Sequence, residues 1–177
     1  MEQYYVKRGV IKDLGLGGLA QLGAKHFDNV VADAEGGFVA TKGIMTKLDA
    51  SYNKEGKLVV DVEQLKGADL SDFLSADGGR EAALSSRAAF SAFLDSATGY
   101  NSKQRGDKAK EDGKKAGKAR TNVKMARKLM SISTKITDEM KVQANEFIVQ
   151  IEEKLDEGNF TRAMSLSEKL SKLVEFK

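Results

Sequence analysis

The sequence contains no cysteine, no proline and no tryptophan, and a single histidine, His26. The first absence excludes disulfides, thiolate metal sites and cysteine nucleophiles. One histidine excludes a multi-histidine metal site within one chain, although not a carboxylate site for magnesium or calcium. No apolar run approaches the roughly 20 residues that span a bilayer, so no membrane segment is expected. The start, MEQYYVKRG, turns to charge before a signal-peptide core can form, and a cytoplasmic location is the expectation. No catalytic motif stands out, so the chain reads as non-enzymatic, with no cofactor.

What is present divides in two. The 177 residues suffice for one domain, or for a domain of about 100 residues with an appendage. Residues 3–11 (QYYVKRGVI) carry the aromatic and β-branched side chains of a first strand. Residues 12–27 (KDLGLGGLAQLGAKHF) place Leu14, Leu19 and Leu22 at helical spacing, with Asp13 as a candidate N-cap. The four glycines of this helix weaken it but permit close approach to a sheet. Strands follow at 29–34, 38–42, 44–52 and 57–65, punctuated by Glu35-Gly36-Gly37 and Asn53-Lys54-Glu55-Gly56 as turns. A short helical turn at 68–74 precedes a strong helix over 80–97, and Gly99 suits its C-terminal cap. The fold class is therefore α+β. Its N-terminal part is a β-α-β4-α antiparallel sheet with helices on one face.

The segments Tyr5-Val6-Lys7-Arg8-Gly9, Gly37-Phe38-Val39-Ala40-Thr41-Lys42-Gly43, Lys57-Leu58-Val59-Val60-Asp61 and Phe93-Leu94-Asp95-Ser96-Ala97-Thr98-Gly99-Tyr100 resemble a small uncharacterised archaeal family. The resemblance covers about residues 1–115. It implies a TATA-binding-protein-like, helix-grip α+β fold and carries no activity. The helices that end the chain lie outside it.

Charge is concentrated in residues 99–128. Lys103, Arg105, Lys108, Lys110, Lys114, Lys115, Lys118, Arg120, Lys124, Arg127 and Lys128 stand there against only Asp107, Glu111 and Asp112. The stretch nets about +8 in a chain that nets +3, which leaves the remainder acidic. Such runs are commonly solvated linkers or helix surfaces. They also neutralise phosphates, because each contact releases a condensed counterion. The eleven basic residues are the candidate nucleic-acid-binding set. No aromatic follows Tyr100 within the run, which argues against stacking of single-strand bases.

From Thr121 or Asn122 a long helix is expected to about Glu157. Its seam is Ala126, Leu129, Ile132, Ile136, Met140, Ala144, Phe147, Ile151 and Leu155. Gly158 stops it, Asn159 caps the next helix, and the pair forms a C-terminal α-helical hairpin. The organisation expected is an α+β domain over 1–100, a basic Gly/Lys-rich connector over 101–120 and a helical hairpin over 121–177. Other candidates are weaker. Gly15-Leu16-Gly17-Gly18 has the place of a phosphate loop without its full pattern. Asp69, Asp72 and Asp77 match no calcium-loop spacing. Asp61 and Glu63 share one strand face and are expected to be exposed. His26 reads as a surface or helix-capping residue.

Three functions remain open. The first is a cytoplasmic protein that binds nucleic acid or ribosomal RNA through the basic stretch. The second is a small-ligand module with a helix-grip pocket bounded by Leu14 to Gly23. The third is an assembly protein whose C-terminal helices form a homo-oligomer or hold a protein partner.

Overall fold

The computed structural model describes residues 1–175 and shows an α+β protein with two compact units, residues 1–106 and the chain from Asp107 on. In the first unit, β1 (Glu2–Tyr4), β2 (Asp28–Ala32), β3 (Phe38–Lys42), β4 (Met45–Tyr52) and β5 (Leu58–Gln64) form one antiparallel sheet in the order β1-β5-β4-β3-β2. The meander expected for the last four strands is present. Two side-chain-stabilised turns set two of its three hairpins, β2–β3 and β4–β5. Asp33 Oδ1 accepts from the backbone N–H groups of Glu35 and Gly37, and Asn53 Oδ1 accepts from those of Glu55 and Lys57. Each carboxylate or amide oxygen thus replaces a backbone acceptor at a reversal of the chain.

Period-two alternation buries Phe38 and Ala40 of β3, Leu48 and Ala50 of β4, and Leu58 and Val60 of β5. Against them pack α2 (Gly18–Gly23), α4 (Gly79–Thr98) and, through Leu14, α1 (Val10–Leu14), while α3 (Gly67–Ser75) lies against α4. The single helix expected over residues 12–27 is broken. Gly15 and Gly17 take φ of +70° and +72°, which a continuous right-handed helix forbids. Asp13 consequently lies inside α1, whose N-cap is Gly9. The close approach expected of the helical glycines does occur at Gly23, where an added Cβ would lie 2.5 Å from Cζ of Phe38. Phe27, Phe38 and Phe93 meet edge-on or tilted with centroids 5.1–6.1 Å apart, filling the space between α2, α4 and the sheet. Tyr52 Oη donates to the Ala97 carbonyl at 2.7 Å, tying the sheet to α4. Gly99, at φ +71°, ends α4 as expected.

The second unit contains most of α5 (Ser102–Ile132), α6 (Asp138–Asp156) and α7 (Phe160–Val174). Helix α5 starts nineteen residues before the expected Thr121. Its N-terminus is held by a reciprocal pair: Asn101 Oδ1 accepts from the Gln104 N–H, and Gln104 Oε1 accepts from the Asn101 N–H. This capping box satisfies two donors that a helix start otherwise exposes. It nucleates a helix through Gly106, Gly113 and Gly117, so residues 102–120 are helical. The expected 121–157 helix is two helices. The chain leaves α5 after Ile132, which is 65% exposed and outside the seam, and Thr137 caps α6 by accepting from the Met140 N–H at 3.3 Å.

Helices α6 and α7 form the hairpin. Gly158, at φ +71°, donates to the Leu155 carbonyl, and Asn159 donates to that of Lys154. These two bonds close α6 in a Schellman turn. Asn159 Oδ1 then caps α7 by accepting from the Arg162 N–H. Val123 and Ala126 of α5, Ile148 and Ile151 of α6, and Leu166 and Leu170 of α7 belong to one buried cluster.

Candidate nucleic-acid interface

Helical geometry sorts the basic residues of α5. The buried face is Ala116, Ala119, Val123 and Ala126, spaced three and four apart. Opposite it, Lys110, Lys114, Lys124 and Lys128 recur near whole numbers of turns, and all four are exposed. At 1.5 Å per residue they extend over about 27 Å. Lys110 has one loose ionic contact, to Asp107 at 3.9 Å. Lys114, Lys124 and Lys128 make no ion pair among the described residues. The exposed Gly113 and Gly117 border this crest, and a Cβ added at either would meet nothing within 4 Å.

The flanks of α5 behave differently. Toward α7, Lys115 Nζ donates to Thr161 Oγ1 at 3.3 Å and pairs with Glu111 at 2.7 Å. The hydrogen bond and charge of Lys115 hold the Glu111 carboxyl below the usual carboxylate range. Lys118 lies 3.7 Å from Glu168, and Asn122 Nδ2 donates to Ser167 Oγ at 3.1 Å. Toward α6, Arg127 pairs with Glu152 at 2.9 Å. Arg120, Lys124 and Arg127 form one wall of an open groove of about 410 Å³, with Glu152 and Asp156 on the other and Val123 and Leu155 between them. Sequence reasoning singled out the three basic residues but not the groove. The signal was available in the three-and-four spacing of Arg120, Lys124 and Arg127 beside the seam residue Leu155.

Two members of the basic set belong to the first unit. Lys103 is exposed in the first turn of α5. Arg105 is turned inward: its guanidinium donates to the Asp95 carboxylate and to the Tyr100 carbonyl, with its side chain only 8% exposed. Lys108, in the second unit, is half-buried. The structure therefore brings Lys110, Lys114, Lys124 and Lys128 to one crest, directs Lys115, Lys118, Arg120 and Arg127 to its flanks, and engages Arg105 within the fold.

The weaker candidates do not assemble into a site. Leu16, between Gly15 and Gly17, is fully exposed, and α2 behind it is only six residues long. Asp69, Asp72 and Asp77 are exposed, and no group of three potential metal ligands occurs among the described residues. Asp61 and Glu63 are exposed on β5, as expected. His26 is half-buried, with its ring 6.3 Å from those of Phe27 and Phe93. Among the described residues, no helix is long and apolar enough to cross a membrane.

A family described as a domain of unknown function, DUF5611, matches residues 1–111. That span nearly coincides with the stretch in which the sequence resembles an uncharacterised α+β family. No curated protein and no solved structure matches the chain.

Proposed function

The chain belongs to the DUF5611 family, whose function is unknown, and we propose that it is a non-enzymatic protein that binds nucleic acid or ribosomal RNA through the exposed crest of α5. The observation that carries this reading is the separation of charge on one helix. Acidic partners neutralise Lys115, Lys118 and Arg127 on the flanks. The crest lysines Lys114, Lys124 and Lys128 keep their charge directed at solvent. A row of uncompensated ammonium groups matches a row of phosphates, and counterion release supplies the free energy. The bare surface at Gly113 and Gly117 lets a phosphate ridge approach the helix backbone closely.

Contacts of this kind position a nucleic acid without reading its sequence. The direct test is copurification. The intact protein is expected to carry nucleic acid through a low-salt purification, visible in its absorbance ratio and removable by nuclease. A variant with Lys110, Lys114, Lys124 and Lys128 changed to Glu is expected to carry none. Equal nucleic acid in both preparations would reject the crest as the interface.

A further inference from the structure

We propose that the groove between α5 and α6 is a nucleobase subsite, which makes the preferred ligand a single-stranded nucleic acid. This rests on the reading of α5 as a phosphate-binding helix. Three observations support it. The floor of the groove is apolar: Val123 is 7% exposed and Leu155 is half-buried. One wall offers the cations of Arg120 and Lys124, neither of which makes an ion pair among the described residues. Facing them, Asp156 has a carboxylate that makes neither an ion pair nor a hydrogen bond among the described residues. The Arg127–Glu152 pair, at 2.9 Å, links the two walls.

This combination suits a nucleotide better than a simple anion. An anion alone gains nothing from Val123 and Leu155. A nucleotide brings a flat apolar ring for that floor, a phosphate for Arg120 and Lys124, and ring or exocyclic N–H groups for Asp156 to accept. Lys124 belongs to both the crest and the groove wall, so a strand lying on the crest can lower one base beside it. The volume of about 410 Å³ lies within the roughly 300–1,000 Å³ of ordinary small-molecule pockets. The aliphatic side chains of Val123 and Leu155 replace the aromatic platform usual for unstacked bases. Bases in a duplex have both faces stacked and their polar edges paired, so they cannot enter.

The test uses the full chain with methyl groups labelled for NMR, together with a fluorescent 12-nucleotide strand, alone and as a duplex. Adenosine monophosphate or guanosine monophosphate is expected to shift the Val123 and Leu155 methyl signals, and inorganic phosphate is not. The single strand is expected to bind about tenfold more tightly than the duplex, because only its bases reach the Val123 and Leu155 floor. Leu155→Gln, which makes the floor of the groove polar and changes no charge, is expected to abolish that preference and leave duplex affinity as it was. Methyl signals silent to both nucleotides while the oligonucleotides still bind would overturn the subsite and leave the phosphate-binding crest standing. A response to an acidic peptide alone would overturn it in favour of a protein partner. Failure of both oligonucleotides to bind would reject the crest and the subsite together.

Discussion

The guanidinium of Arg105 is folded back onto the Asp95 carboxylate, ten residues earlier at the end of α4, and onto the Tyr100 carbonyl. A basic run thus contains one residue whose partner is the protein itself. Hydrogen bonds to charged groups of this kind are worth about 1–3 kcal/mol when one partner is removed. Arg105→Ala is therefore expected to destabilise the first unit by about that amount in urea or thermal denaturation. The salt dependence of nucleic-acid binding is expected to stay unchanged. A change in that dependence without loss of stability would place Arg105 in the interface instead.

Gly113 and Gly117 lie within α5 with helical backbone and open space around them. Each weakens the helix by about 0.5–1 kcal/mol relative to alanine. The double substitution Gly113→Ala/Gly117→Ala is expected to stabilise the second unit and raise its melting temperature. If close approach of phosphates uses this bare surface, the same variant binds nucleic acid less tightly while folding more stably. Circular dichroism melting and a binding titration on one sample read both effects.

Tyr52 links the sheet to α4 through its bond to the Ala97 carbonyl, and burial pushes its phenol up to about 12. Burial, followed by its bond to Glu2, raises the Tyr4 phenol also. An unfolded tyrosine loses its proton near 10. Between pH 10 and 12 the folded state therefore retains a proton that the unfolded state has lost, and stability falls as pH rises through that window. Below it the contribution is fully present. Tyr52→Phe is expected to flatten the decline and to cost about 1 kcal/mol at neutral pH for the lost hydrogen bond. Denaturant midpoints at pH 7, 10 and 11.5 measure both.

The sequence revealed the β2–β5 meander of the first unit because its signals are local, but the strand expected over residues 3–11 ends at Tyr4, and Val10 and Ile11 open α1 instead. Alternation marked β3, β4 and β5 to within a residue or two, and Asn53 and Gly56 announced a turn that the structure contains. The break at Gly15 and Gly17 was harder to read, because Leu14, Leu19 and Leu22 keep helical spacing across it. In the second unit, the glycines and lysines of residues 103–118 concealed a helix whose start depends on one pair, Asn101 and Gln104. The break after Ile132 was concealed for the opposite reason: Leu129, Ile136 and Met140 continue the seam through a segment that leaves the helix and returns. For the candidate site, composition identified the charges, but only the paths of α5, α6 and α7 decide which lysines are neutralised and which are not.

A crest that holds phosphates makes affinity fall with salt, because each contact releases a counterion. Binding of the full chain to a labelled single strand is measured at several salt concentrations, for the native sequence and for Lys110→Glu/Lys114→Glu/Lys124→Glu/Lys128→Glu. The logarithm of affinity is expected to fall linearly with the logarithm of salt, with a slope of about −0.7 per neutralised phosphate. The variant is expected to lose about 3 from the magnitude of that slope. Identical slopes for the two proteins, or an affinity that salt does not change, would show that the α5 crest holds no phosphates.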